Sequence, residues 1–381
     1  MTTNVSLPDL PYLPNEILLK IIDYCPETTK TILSNTNKHM RALVISTIKQ
    51  QNQKNPNLRI YAKDLACSVS LLQWQRDYLK QRFQYTAEYA AMYGNLETMQ
   101  FLRANYCGFN KYTCFSAAKA GKLEIIQYLY NEGCTGDHYA IAHAAKGGYF
   151  DIVQFLHKNG CPWDLSTTIN AAGSGHLNIL QYAYNNGCKI SHEAGNEAAF
   201  AGHLDILQYL ISIECPINAT TFSNAASGGH MNIITYLHSI NCPMNASICA
   251  SATYAGHIDI LKYLININCP WDINTAINAG YTNQLDILKY LYTINCQFTK
   301  EVFTSAAGRG HIECVKYLKY INCPWDAYTC EIAAINGRYE IIVFLHENGC
   351  PWDYHTTAYA KHYGHNDIYL YAIANGCQNF D

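Results

Sequence analysis

The stretch AAFAGHLDILQYL, residues 198–210, is one copy of a pattern that recurs through most of the chain. The cysteines show the interval best, because eleven of them follow one another every 27 residues without slippage. They are Cys107, Cys134, Cys161, Cys188, Cys215, Cys242, Cys269, Cys296, Cys323, Cys350 and Cys377. Glycine keeps the same interval from Gly94 to Gly364, and Asn283 fills its one gap. A fixed interval of this kind predicts a stack of similar structural units.

Each unit contains a second helix that follows the glycine position. An aromatic residue lies seven positions after every glycine position, as Tyr128 does after Gly121, and Ile125, Ile126 and Leu129 surround it. This apolar spacing is typical of a helix with a broad buried face. An acidic residue in the first turn suits the helix dipole. We therefore expect a helix over about 122–132 and its equivalents.

A first helix precedes the glycine position in each unit. Ten positions spaced 27 apart, from Asn110 to Asp353, all carry residues preferred at a helix N-cap, and Ala follows each by seven positions. The Asn-Gly pairs at 159–160 and 348–349 lack strand-like alternation, so they are better read as helix ends than as hairpins. The unit is thus helix–turn–helix, and the fold class is an all-α solenoid of about eleven units.

Composition narrows the function classes. The net charge is −3, and so mild a charge balance gives no strong footprint for nucleic acid. The N-terminus carries no secretory signal pattern, and no apolar run reaches the roughly 18 residues of a membrane helix. The 17 cysteines of 381 residues are too few for a small disulfide scaffold. These features predict an intracellular, cytoplasmic protein with reduced thiols.

The repeated string resembles the core of ankyrin repeats, AAxxGHxxIVxxLL, over about residues 84–381. The 27-residue unit is shorter than the usual 33 or so. The missing residues fall between Cys161 and Ala171, where the family forms its β-hairpin finger, so the array should be all-helical. The repeats are also similar to those of ankyrin proteins from giant amoeba-infecting viruses. That resemblance implies the cytoplasm of a host cell and a role in host–virus interaction.

The N-terminal part breaks the pattern and divides into two further segments. Residues 51–83 are predicted to be a linker and a degenerate capping unit, and residues 1–50 a small helical segment. The string LPNEILLKIIDYC, residues 13–25, resembles the start of an F-box, although Met40 stands near the place of the usual late Trp. An F-box implies binding to the small adaptor subunit of cullin-type ubiquitin ligases. The residues that would face that adaptor are Leu13, Pro14, Ile17, Leu18, Ile21 and Ile22. The alternative is a plain helical cap on the first repeat.

The CPWD strings, such as residues 350–353, first suggest thiol or metal chemistry. Each cysteine nevertheless stands at a repeated packing position, and small buried side chains fit there. The pair His138 and His143 falls short of a zinc ligand set, and no catalytic sequence motif is present. We therefore expect no catalytic residue, cofactor or metal, and we set a thiol or metal enzyme aside as the weakest hypothesis.

The positions that differ most between units predict the binding surface. They lie just after each N-cap and six positions past it. If the first helices line the concave side, as in ankyrins, these residues form a groove that suits protein recognition. The candidates are His138, Tyr139, His143, Asn170, His192, Glu193, Asn224, Asn274, Asn278, Tyr328, Tyr354 and His355. The leading hypothesis is a monomeric, non-enzymatic adaptor that recruits an unidentified protein target to a ubiquitin ligase. The alternative is a scaffold or decoy with no ubiquitin link.

Overall fold

The structure is a computed structural model, and it describes residues 86–378. This part of the chain forms 22 α-helices and no strand. The first helices of the units are α1 (Thr86–Tyr93), α3 (Lys111–Lys119), α5 (His138–Lys146), α7 (Leu165–Gly173), α9 (His192–Ala201), α11 (Ala219–Gly228), α13 (Ala246–Tyr254), α15 (Ile273–Tyr281), α17 (Lys300–Arg309), α19 (Ala327–Ile335) and α21 (Tyr354–His362). The second helices are α2 (Leu96–Ala104), α4 (Leu123–Asn131), α6 (Phe150–Lys158), α8 (Leu177–Asn185), α10 (Leu204–Ser212), α12 (Met231–Ser239), α14 (Ile258–Asn266), α16 (Leu285–Thr293), α18 (Ile312–Tyr320), α20 (Tyr339–Glu347) and α22 (Asn366–Ala374). The predicted all-α fold class is confirmed.

The first helices begin at the predicted N-cap positions. The side-chain oxygen of Asn110 accepts hydrogen bonds from the backbone N–H groups of Tyr112 and Thr113, at 2.8 and 3.1 Å. Asp272 accepts from the N–H of Asn274 at 3.0 Å. These bonds satisfy donors that the helix itself leaves unpaired.

Three of the residues at N-cap positions do not use their side chains as caps. The side chains of Ser191, Thr299 and Asp326 make no hydrogen bond to the N–H groups of their helices. The Asp326 carboxylate instead accepts a 2.8 Å hydrogen bond from Lys300 Nζ. Competition from a neighbouring cation thus overrides the local cap preference there.

Two turns per unit require a left-handed backbone. The glycine position has positive φ, for example +89° at Gly202, and Asn283 adopts +62° in the one unit that lacks glycine, as its residue type predicted. A second row lies just before each cysteine, where Asn241 has φ of +54° and Gly349 +78°. The following N–H closes the helix end, as Cys350 does by donating to the Leu345 carbonyl at 2.9 Å.

Glycine also makes room for the next unit. A Cβ atom on Gly229 would lie 2.7 Å from the imidazole of His257, which is too close. His257 Nε2 lies 3.2 Å from the carbonyl oxygen of Ser227, 30 residues earlier in the chain. The same contact joins His230 to Phe200 and His365 to Ile335. This histidine therefore links successive units.

The core runs between the two layers of helices. In α10, Ile206, Leu207 and Leu210 are fully buried, and Ala198 and Ala199 of α9 face them. Burial of each such large side chain contributes about 1.5–3 kcal/mol. The small alanines let the first helix of one unit pack directly on the first helix of the next, as α9 does on α11.

The described residues also divide into two larger compact bodies, which are called unit 1 and unit 2 by number. A unit without a number remains one helix–turn–helix repeat. Unit 1 contains 86–171 and 178–189, and unit 2 contains 172–177 and 190–378. Helix pairs of the same kind build each of them. Among the described helices, none has the length and apolar character needed to cross a membrane. The predicted segments 1–50 and 51–83 lie outside the described residues, and so do the six predicted adaptor contacts from Leu13 to Ile22.

Candidate protein-binding surface

The repeated cysteines are built into the joints between units. Cys134 Sγ donates to the carbonyl oxygen of Asn110 at 3.1 Å, and Cys377 Sγ donates to that of Asp353 at 3.0 Å. The acceptor is the N-cap residue 24 positions earlier. The residues that make this bond are Cys134, Cys161, Cys188, Cys215, Cys269, Cys323, Cys350 and Cys377. The thiol therefore joins two units by a hydrogen bond as well as by packing.

The environment of these thiols disfavours nucleophilic chemistry. Burial raises the pKa of Cys161 and of Cys188 to about 11, so both stay protonated near neutral pH. A hydrogen bond to Cys269 and burial also raise the pKa of Cys249. That bond lowers the pKa of Cys269, but only 2% of this side chain is exposed. The predicted burial is confirmed at ten of the eleven repeated cysteines. The exception is Cys215, which is half-buried.

The tryptophans of the CPWD strings pack inside the same joints. In unit 2, the ring of Trp352 stacks on His346 with centroids 4.2 Å apart, and His346 Nδ1 lies 2.9 Å from the Tyr371 hydroxyl. In unit 1, His157, Trp163 and Tyr182 repeat this arrangement. Trp325 takes a different neighbour, since Lys319 Nζ lies 4.0 Å from its ring centroid. The joint that first resembled a reactive site is thus a packing element.

The predicted binding residues of unit 1 are only partly exposed. Tyr139 is exposed, and its ring lies tilted against that of His138 with centroids 4.1 Å apart. His138, His143 and Asn170 are half-buried. Burial, together with Lys119 and Lys146, lowers the pKa of His143. Its imidazole also packs edge-on against Phe115 at 4.8 Å. His143 is therefore neutral near pH 7 and offers a partner a weakly polar aromatic surface.

Unit 2 holds the other predicted binding residues. Those on its exposed surface are His192, Glu193, Asn274, Tyr328 and Tyr354, and those half-buried are Asn224, Asn278 and His355. Two residues of the row six positions past the N-cap already make hydrogen bonds within the fold. Asn278 Nδ2 donates to the Ala250 carbonyl at 3.1 Å, and within unit 1 Asn170 Nδ2 donates to that of Ala142 at 3.2 Å. These amides tie one first helix to the preceding one, so one of the two N–H donors of each amide is already used.

An open groove of about 620 Å³ lies across three successive first helices of unit 2. Its lining comes from α15, α17, α19 and the residue after α19, and consists of Tyr281, Lys300, Glu301, Thr304, Ser305, Gly308, Arg309, Tyr328, Ile332 and Asn336. The Arg309 guanidinium lies over the Tyr281 ring, 3.9 Å from its centroid. Tyr328 at the opposite side is 54% exposed. The groove combines aromatic faces with one guanidinium, one ammonium and one carboxylate, which suits recognition of a polar peptide.

Of these groove residues, Tyr328 was predicted from the sequence, whereas Tyr281 and Arg309 were not. Both of the latter lie in the last turn of a first helix, close to the glycine position. The position of Tyr281 changes strongly between units, from Phe200 to Ser227 to Gly308. This third variable row is the sequence signal for this part of the groove.

Comparison with known proteins agrees with this architecture. Residues 87–167 and 196–277 match the family model described as ankyrin repeats in three copies. No curated protein matches the chain. The first matched range lies in unit 1 and the second in unit 2. The described part of the chain is thus an ankyrin-repeat solenoid, a class of fold that is typically non-enzymatic and serves protein–protein interaction.

Proposed function

We propose that this protein recruits a target protein to a cullin-type ubiquitin ligase. In this proposal the N-terminal segment docks the small adaptor subunit, and the repeats hold the target. The observation that supports target binding is the groove of unit 2, which three first helices line with differing residues. Positions that hold the fold together repeat from unit to unit, whereas the groove residues do not.

The groove offers anchors of the type that dominate protein interfaces. Tyr and Arg are enriched among residues whose loss costs a complex most of its binding energy. Arg309 and Tyr281 form one such pair, and Tyr328 is a second anchor. Lys300 is held by Asp326, and this hydrogen bond raises the pKa of Lys300. We therefore expect a bound segment to engage Arg309 with an acidic or carbonyl group and to pack on the two tyrosines.

The ligase half of the proposal rests on the sequence LPNEILL, residues 13–19. Its resemblance to an F-box assigns the adaptor contacts to Leu13, Pro14, Ile17, Leu18, Ile21 and Ile22. The second candidate is a scaffold or decoy without a ubiquitin link. The observation that favours it is Met40 near the place of the usual late Trp. In both cases we propose a cytoplasmic location, that of a host cell if the resemblance to viral repeats holds, because reduced thiols are built into the joints.

Two full-length variants separate these possibilities. Ile17→Asp should abolish co-purification of the cullin adaptor while leaving target capture unchanged. Tyr328→Ala combined with Arg309→Ala should do the reverse. Quantitative mass spectrometry of complexes purified from expressing cells provides the readout. Absence of the adaptor from complexes of the parent protein would support the scaffold, and adaptor binding that survives Ile17→Asp would contradict the assigned adaptor contacts. Equal target capture by the groove variant would contradict the assigned surface.

A further inference from the structure

Three potential metal ligands come together in unit 2 outside the groove lining. Glu331 of α19, the N-cap residue Asp353 and His355 of α21 place their donor atoms within 4.8 Å of one another. His355 Nδ1 lies 3.3 Å from Asp353 Oδ2 and 4.0 Å from Glu331 Oε1. Donor atoms around a tetrahedral ion with bonds of about 2.1 Å lie roughly 3.4 Å apart. The His355–Asp353 separation already matches this value, and the other donor atoms must approach by up to about 1.4 Å.

The helix cap already orients two of the three ligands. Asp353 Oδ1 accepts a 3.0 Å hydrogen bond from the backbone N–H of His355. This bond fixes the carboxylate at the start of α21 and directs its other oxygen toward the imidazole. Glu331 approaches from the preceding first helix, and its side chain is only 15% exposed. Helix α19 and the start of helix α21 thus bring the three donor groups together without an ion.

The local charge also favours a cation. The Asp353 and Asp326 carboxylates both lie close enough to Glu331 to act on it electrostatically, so negative charge accumulates at this place. The nearby Lys300 is engaged by Asp326 at 2.8 Å. Even a protonated His355 imidazole would balance only one of the two ligand carboxylates. A divalent ion would remove the repulsion between them.

We propose that Glu331, Asp353 and His355 bind one divalent first-row transition-metal ion, such as Zn²⁺ or Co²⁺. Imidazole with two carboxylates is a donor set that such ions accept. Three protein ligands leave a coordination position for water. The set is particular to this place in the array, because the preceding unit has Thr304 and Tyr328 where this one has Glu331 and His355.

Co²⁺ is the most informative probe, because the chain also contains thiols. Oxygen and nitrogen donors give only weak visible bands, whereas a cysteine ligand adds an intense charge-transfer band in the near ultraviolet. Equilibrium dialysis of the full-length protein should find one Co²⁺ per chain without the thiolate band. Glu331→Gln, Asp353→Asn and His355→Gln should each weaken binding by at least about tenfold, a loss that even outer-shell changes cause.

The variants carry their own controls. Asn remains a good N-cap residue, so Asp353→Asn should lose metal affinity while keeping the melting temperature of the parent. His138→Gln is the matched control, since His138 Nε2 lies 3.9 Å from the Asp164 carboxylate alone. It should leave Co²⁺ affinity unchanged. Absence of stoichiometric binding, binding that survives Glu331→Gln and His355→Gln, or a thiolate band would overturn the proposal.

Discussion

The joints between units and the outer surface of the first helices use sequence in opposite ways. At the joint, the same residue types recur, and Cys350 and Trp352 are held by contacts that other units also make. On the surface, one position two residues past the N-cap is Glu193, Asn274 or Tyr328 in different units. Repetition therefore marks the residues that hold the array together. Variation marks positions that these recurring contacts do not fix, and the proposed recognition residues are among them.

The largest loss of stability is expected when a core leucine is truncated. Leu261→Ala in α14 removes a fully buried side chain and should lower the free energy of unfolding by about 2–5 kcal/mol. Leu370→Ala is the control, because its side chain is 64% exposed and its loss should cost under about 0.5 kcal/mol. Urea denaturation followed by circular dichroism measures both. Similar costs for the two leucines would contradict the placement of the core.

The glycine turns come next. Gly349→Ala should cost about 1–2 kcal/mol, because φ is +78° and no atom lies within 4 Å of the added Cβ. Gly229→Ala should cost more, since its Cβ would displace His257 and disturb the contact with the Ser227 carbonyl. Comparison of their denaturation midpoints tests this order.

A double variant isolates the second contribution at Gly229. Adding His257→Ala to Gly229→Ala removes the clash, so the glycine substitution should then cost no more than Gly349→Ala. If Gly229→Ala costs the same unfolding free energy with and without His257, the clash with His257 contributes nothing and the backbone angle accounts for the loss.

Helix caps should give a smaller effect. Asp272→Ala loses the hydrogen bond to the Asn274 N–H and should cost about 1 kcal/mol of unfolding free energy. Ser191→Ala is the matched control, because Ser191 makes no cap hydrogen bond. Thermal denaturation should separate the two variants. A larger loss for Ser191→Ala would refute the distinction between used and unused caps.

These results explain which parts of the fold the sequence predicts. The bounds of α4 fall within one residue of the predicted 122–132, because the left-handed turn at Gly121 lies directly before it and depends on residue type alone. Contacts between units are different. The Cys134 thiol bonds to a carbonyl 24 residues away, and Arg309 reaches a ring 28 residues away. Such contacts depend on packing between helices, which a local pattern does not contain.

The same reason limits prediction of the binding surface. Asn170 and Asn278 vary in the way that a binding residue does, yet their amides bond to the preceding first helix. Asp326 has an ideal cap residue type, yet Lys300 takes its carboxylate. Residue type and variability predicted exposure at Tyr328, but not which polar groups already have partners.

Loss of a repeated thiol should lower the free energy of unfolding by less than loss of a helix cap. Cys350→Ala removes the weak hydrogen bond to the Asp326 carbonyl and should cost about 0.5–1 kcal/mol. Its effect on target capture should be undetectable, because Cys350 is only 4% exposed. A denaturation curve and a capture assay on the same preparation provide both numbers. Loss of capture without loss of stability would reopen a chemical role for this cysteine.

The most direct test of the contrast is photo-crosslinking from two tyrosine positions. A photoreactive phenylalanine at Tyr328 lies on a first helix beside the groove, whereas one at Tyr320 lies at the end of second helix α18 and replaces a side chain that is 82% exposed. In complexes formed by the full-length protein, we expect crosslinks to the target from position 328 and none from position 320. Crosslinks from position 320 alone, or equally from both positions, would contradict the assignment of recognition to the first helices.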